Sequence, residues 1–289
     1  MKITIPLFVL LLSSNLLIGQ MNSYVIYDKI GNKISFEKLI ETSLNSELIF
    51  FGELHNNSVA HWLQLKLLKS LKQSTKRHIT VGMEMFESDN QLLLDEYLNG
   101  VIAERNFEEE AKLWNNYKTD YKAIVLFAKE NKIPVVATNT PRRYAAMVNH
   151  GGFEALDNLK DEAKRFIAPL PFAYNPELPG YKAMVKIPAM HGSKMQPENL
   201  GKAQALKDAT MAHFILKTLK DKGLFLHING SYHSQNNEGI LWYINNQLKG
   251  LNILTINTII VPNVTLVDKN ELQAADFTIC IDSDTITSY

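Results

Sequence analysis

An α/β fold, with a mostly parallel central sheet flanked by helices, is what this sequence predicts. Three observations carry it. Short apolar runs rich in β-branched and aromatic residues alternate with longer stretches of helical periodicity. Several of these runs end in polar residues, which is how strands leave a sheet rim. Two of them end in the same turn, Gly-x-x-His, as Gly52-Glu53-Leu54-His55 and Gly230-Ser231-Tyr232-His233. Glycine at a strand end lets the backbone turn and approach a neighbour closely.

The elements follow in order. Leu48-Ile49-Phe50-Phe51 predicts a strand over 47–52, and Ala60, Leu63, Leu67, Leu68 and Leu71 recur at helical spacing over 57–73. A second strand spans 78–86. Ser88 is placed to cap the next helix, which carries Leu92, Leu93, Leu94 and Leu98. Residues 107–131 read as one helix ending before Pro134, followed by a strand over 134–139. A helix after Pro141 stops at Gly151-Gly152. Six of the ten prolines fall within 166–200, so this segment is expected to cover one side of the fold as a loop or helical subdomain. Helix 198–222, strand 224–229, helix 238–248, strand 252–260 and a last strand over 275–281 complete the alternation. Parallel strands with helical crossovers bring their ends to one rim, where open α/β sheets bind ligands.

Composition narrows the class. The chain has 289 residues, 46% hydrophobic and 21% charged, which suits a folded domain with ample core. Lys+Arg and Asp+Glu are both 30, and this balance gives no footing to nucleic acid as a partner. Lys2, the apolar stretch from Ile3 to Leu12 and the small residue Gly19 describe a signal peptide over 1–20, leaving a single domain over 21–289. Export to the periplasm, the outer surface or the medium is the expectation. Cys280, in an apolar run, reads as a buried strand residue, and no cysteine follows the signal segment to carry a lipid.

The polar strand ends define a candidate site. They are Glu53 and His55, then Glu84, then Asn139 with Arg142 and Arg143, then His233. Gln204, Asp208 and Met211, at i, i+4 and i+7, share one helix face. Asp208 is placed to orient a histidine or pair with an arginine. Glu84 sits between Met83 and Met85, where an unpaired carboxylate is costly. His61, His78 and His213 read as surface or packing residues, and His227 as a satisfied core histidine.

With those residues in view, the chain resembles the ChaN-like haem-binding uptake family of the Tiki/TraB superfamily, itself similar to erythromycin esterases. The resemblance rests on Gly52-Glu53-Leu54-His55-Asn56-Asn57, Met83-Glu84-Met85, Asn139-Thr140-Pro141-Arg142, the stretch from Gln204 to Ala212, and Gly230-Ser231-Tyr232-His233. It spans roughly residues 45–245. It implies a surface-associated bacterial protein of haem or iron acquisition, able to dimerise around haem and to hand it to an outer-membrane uptake receptor. In Tiki-type relatives the two Gly-x-x-His turns and a Glu are thought to hold a divalent metal for hydrolysis. Lys207 stands where the family usually has Arg before the Asp, and the lipid-bearing cysteine of many members is missing.

Two chemistries therefore stay open. For haem, Tyr174, Tyr181 and Tyr232 are the axial-ligand candidates, with His191 as an alternative, and Arg142 and Arg143 suit propionates. The plainer reading of these aromatics is packing. For a metal-dependent hydrolase, His55, Glu84 and His233 would hold one divalent ion and Glu53 would be the general base, with Asn139, Gln204 and Asp208 in support. A metal-free version, with His and Glu activating water, uses the same rim.

Overall fold

The structure, a computed structural model, describes residues 22–185 and 197–289; the signal segment expected over 1–20 and His191 lie outside the described residues. Eight strands form one sheet. They are β1 (Tyr24–Asp28), β2 (Lys33–Ile34), β3 (Leu48–Glu53), β4 (Ile79–Glu87), β5 (Val135–Asn139), β6 (Leu224–Gly230), β7 (Ile253–Val261) and β8 (Phe277–Asp282). Their order is β2-β1-β8-β7-β3-β6-β4-β5. The strands from β8 to β5 all pair in parallel, and β1 runs antiparallel to β2 and β8. The predicted class holds.

Strand β3 shows why a parallel strand reads as a continuous apolar run. Its side chains alternate between faces. Ile49 and Phe51 join the layer formed by Leu63, Leu67 and Leu71 of α2 (Ser58–Ser74) and Ile124 and Val125 of α5 (Lys122–Glu130). Leu48 and Phe50 join the opposite layer, with Ala212 and Ile215 of α9 (Pro197–Thr218) and Ile240 and Ile244 of α10 (Ile240–Gln247). Both faces are covered, so no position can be polar without a partner. Full burial of Phe50 or Phe51 contributes roughly 1.5–3 kcal/mol each.

Between these lie α3 (Gln91–Leu98), α4 (Glu104–Glu110), α6 (Arg142–Gly151), α7 (Asp161–Lys164) and α8 (Pro179–Val185). The Pro-rich segment packs over α6 and α9. There Phe166, Leu170 and Phe172 sit on Tyr144, Val148 and Leu206. Asn57 caps α2 by accepting from the Ala60 N–H at 3.0 Å, so the Asn that follows the first Gly-x-x-His turn starts the helix.

Three expectations are corrected. First, residues 24–44 hold β1, β2 and a helix α1 (Phe36–Leu44) that the sequence reading passed over. The strands are short and lie at the sheet edge, where half-exposed positions blur the pattern. Second, 107–131 is two helices. It breaks after Glu110, crosses Lys112–Asn116 without helical hydrogen bonding, and re-enters through a wide turn at Tyr117–Tyr121. Third, Ser88 does not cap α3. Its hydroxyl donates instead to the Phe166 carbonyl at 2.6 Å, tying the Pro-rich segment to the end of β4.

Candidate functional site

Strand order builds the site. β3 and β6 are neighbours, with Glu53 opposite Gly230, so the two Gly-x-x-His turns stand side by side at one rim. β4 follows β6, then β5, with Glu87 opposite Asn139. A Cβ on Gly230 would meet His55 Nε2 at 2.7 Å. An added methyl would force the imidazole, which lies against the end of β6, to shift. The glycine of the second turn thus makes room for the histidine of the first.

His55 is aimed from behind. Its Nδ1 lies 2.9 Å from Glu53 Oε1, so Nδ1 carries the proton and Nε2 faces the rim. Glu53 is fully buried and saturated. Tyr121 donates its hydroxyl to Oε1 at 2.6 Å, Gln64 donates to Oε2 at 2.5 Å, and His61 Nδ1 lies 3.3 Å away. Burial alone would raise the Glu53 pKa, but hydrogen bonds and charge from His55 and His61 outweigh it and hold the carboxyl at about 2. His55 and His61 are raised in return, against their own desolvation. Asn116 donates to the His55 carbonyl at 2.8 Å and fixes the backbone.

His233 is bound differently. Nδ1 lies 2.5 Å from Asp208 Oδ1 and Nε2 lies 3.2 Å from Glu84 Oε1. Burial would lower its pKa; the two carboxylates dominate and raise it to about 10, so His233 is an imidazolium at neutral pH. Glu84 also accepts from the Gly230 N–H at 2.7 Å. Desolvation works against its charge, but His233, His55 and this N–H keep it well below the usual carboxylate range. Asp208 is fully buried, and desolvation pushes it up despite donors from His233 and Tyr181. The amide of Gln204 closes over the ring, 3.0 Å from Nδ1.

Between these groups lies a cavity of about 320 Å³, bordered by His55, Glu84, Trp114, Arg142, Gln204 and His233, with Glu87, Asn139, Lys207 and Tyr232 also on its wall. A second cavity, of about 340 Å³, adjoins it between α6 and α9. Its wall is Ala145, Ala146, Asn149, Leu200 and Ala203, and it shares Arg142, Met184, Gln204 and Lys207 with the first. A polar hollow thus opens onto an apolar trough, and two cations stand at the junction.

The structure separates the candidates. Tyr232 is 69% exposed and lines the polar hollow. Tyr181 is buried and donates its hydroxyl to Asp208 Oδ2 at 2.8 Å; desolvation and the Asp208 charge push its pKa far up. Tyr174 stacks on Tyr181 and sits against Phe153, away from the wall of either cavity. Arg142 is largely exposed at the junction, 3.8 Å from Glu87, and braces neither Glu84 nor Asp208. Arg143 is turned away, tied to Asp89 at 2.5 Å and to the Tyr144 hydroxyl. Asn139 lines the hollow with a buried Oδ1 that has no hydrogen-bond partner among the described residues. His227 is a satisfied core residue, between Thr138 and Asn229, with burial lowering its pKa to about 4.

Two expectations change. His55, Glu84 and His233 do come together, but among the described residues no group of three or more His, Cys, Asp or Glu is arranged to hold a metal ion. Both ring nitrogens of His233 face carboxylates. Glu53, expected as a general base, is sealed behind His55 and orients it. Tyr121, Trp114 and Asn116 join the site from the segment expected as one continuous helix, and no local pattern marks them. His61, expected as a surface or packing residue, is a buried partner of Glu53. A histidine six residues after His55 in an otherwise apolar helix face was the available signal.

Comparison with known proteins adds the following. The family described as haem-binding uptake, Tiki superfamily, ChaN matches residues 39–244. A solved Campylobacter jejuni ChaN, described as binding haem cofacially, aligns at TM-score 0.68 with 21% identity, covering 90% of this chain and 97% of that one. A succinoglycan biosynthesis protein aligns at TM-score 0.52 with 13% identity, covering 86% and 90%. A Bacillus cereus protein aligns at 0.51 with 10% identity, covering 86% and 92%. At these identities the structural likeness speaks for the fold. No curated protein sequence matches the chain.

Proposed function

Because the chain belongs to the haem-binding uptake family of the Tiki superfamily, we propose that it is an exported haem-binding protein of haem or iron acquisition. The observation that carries this reading is the junction of the apolar trough with the polar hollow, where Arg142 and Lys207 stand together. The residues present suit the group. Ala145, Ala146, Met184, Leu200 and Ala203 offer a face for a porphyrin. Arg142 and Lys207 pair with its propionates. Tyr232 is the exposed phenol that can serve as axial ligand. When bound, the haem supplies a ferric centre that a phenolate holds and can release to an uptake receptor. The open trough would take one face of the macrocycle, and a second copy of the chain would take the other. The signal segment supports export.

Haemin titration followed by absorbance tests the reading, with size-exclusion chromatography of the loaded protein for the dimer. A saturable Soret shift that Tyr232→Phe abolishes or displaces is the expected result. A parent protein with no saturable shift sinks the proposal.

A second reading rests on a separate observation, the Glu53–His55 pair at 2.9 Å with Nε2 directed at the hollow. Such a dyad activates water without a metal. Desolvation works to lower the His55 pKa, but its carboxylate neighbours raise it overall, so its activity as a base rises with pH. An ester hydrolysis screen of the parent against His55→Ala decides: activity lost in the variant supports it, and none in either removes it.

A further inference from the structure

The segment that follows β8 crosses the rim and packs on the first Gly-x-x-His turn. Thr287 bridges Asn57 in antiparallel fashion. The Ser288 N–H donates to the Asn56 carbonyl at 2.8 Å, and the Ser58 hydroxyl donates to the Ile286 carbonyl at 2.9 Å. The Ser288 hydroxyl donates to Asp120 Oδ2 at 2.6 Å. Asp120 also accepts from Asn116 at 2.6 Å, the same side chain that holds the His55 carbonyl. The segment is thus tied into the polar network that positions His55.

Its end reaches a cavity. Tyr289 is 71% exposed and lines a hollow of about 340 Å³ with Leu113, Trp114, Asn115, Asn116 and Arg142. Trp114 and Arg142 also line the polar hollow at the rim. The two spaces therefore share a wall. Trp114 stands edge-on to His55, with ring centroids 4.9 Å apart. An exposed aromatic ring beside a tryptophan and an arginine is the arrangement that grips a flat, anionic aromatic ligand.

We propose that residues 285–289 form a strap that presents Tyr289 as a ring-stacking contact for the macrocycle bound at this rim, a reading that rests on haem binding there. Tyr289 and Trp114 share the wall of one hollow, and Arg142 lines both that hollow and the trough. Ser288 is a positioning residue, holding the strap through Asp120. Tyr232 keeps the axial role, and Tyr289 contributes contact rather than ligation.

Haemin titration of purified parent, Tyr289→Ala, Tyr289→Phe and Ser288→Ala tests this, with thermal melts of each. Loss of an aromatic contact corresponds to about three- to tenfold weaker binding. That loss is expected for Tyr289→Ala, with an unchanged melting temperature and an unchanged Soret position. Tyr289→Phe should bind within about twofold of the parent, since stacking needs the ring and not the hydroxyl. Ser288→Ala should fall between the two. Parent-like binding by Tyr289→Ala overturns the strap, as does a Tyr289→Phe that loses as much as Tyr289→Ala. A parent that binds no haemin overturns the haem reading itself, and this inference with it.

Discussion

His55 lies against Gly230, so close that a single methyl group on that glycine would fall 2.7 Å from the imidazole Nε2. The contact joins the two Gly-x-x-His turns, 175 residues apart in sequence, into one site. Gly230→Ala is therefore expected to push His55 out of the rim. The imidazole is the far end of a side chain that is 34% exposed, so it can swing away and the displacement of the ring, read by NMR, is the expected effect. A variant with an unshifted His55 resonance would disprove the contact.

Asp208 offers a second test. It is fully buried, and its carboxylate holds His233 from one side while Tyr181 donates from the other. Asp208→Asn removes the charge but keeps an acceptor, and Glu84 still pairs with His233, so the expected cost is about 1–3 kcal/mol. The His233 pKa should fall as well, since only Glu84 then supports the imidazolium. NMR titration of the ring checks this. A His233 that titrates as in the parent would mean that Asp208 is not its partner.

Stability should depend on pH in two limbs. His233 titrates at about 10 in the folded state against 6.5 unfolded. Its contribution is complete below pH 6.5 and is lost as pH rises through about 10. Glu53, at about 2 against 4.5, contributes fully above pH 4.5, and that contribution is lost as pH falls through about 2. Glu84 adds to the acid limb, and Asp208, raised by burial, opposes it. Denaturation midpoints across pH should therefore be highest near pH 5–6. His55 and His61, also raised, add to the alkaline limb, so His233→Gln should shrink that limb by the share of His233, and a limb unchanged in the variant would refute the assignment.

The tyrosines should divide by stability and spectrum. Tyr181→Phe leaves Asp208 Oδ2 without its donor, at a cost of about 1–3 kcal/mol, with the haemin spectrum unchanged. Tyr232→Phe should do the reverse, altering the spectrum and sparing stability, because its ring is exposed. An exchange of these two behaviours would show that the ligand enters from the Pro-rich side.

The arginines should divide as well. Arg142→Ala is expected to weaken haemin binding by about tenfold, the loss of one charge-assisted contact. Arg143→Ala should leave binding unchanged, since Asp89 and Tyr144 already hold the side chain. Equal losses from both would place the propionates on the other side of α6.

Much of the scaffold was legible in the order of residues. Leu48-Ile49-Phe50-Phe51 and Leu224-Phe225-Leu226 are apolar on consecutive positions because β3 and β6 are covered on both faces, and such runs have few other homes. The segment 107–131 reads as one helix, yet it breaks between Glu110 and Tyr117; Phe107, Trp114 and Tyr121 repeat every seven residues, a spacing a helix also produces. In the fold these residues serve different packing tasks around a break, and sequence spacing carries no sign of the break.

Sequence alone determined the α/β class, the covered strands and the polar character of their ends, since these follow from local periodicity and the cost of burying polar groups. Tertiary structure alone decided which of those polar residues work together. Glu53 became a buried support and His55 the group facing the rim, while His233 was spent on two carboxylates. Of the tyrosines, Tyr181 went to Asp208 and Tyr232 to the surface. Partner, burial and direction set a side chain's charge and reach. All three arise when strands distant in sequence become neighbours, so no local pattern encodes them.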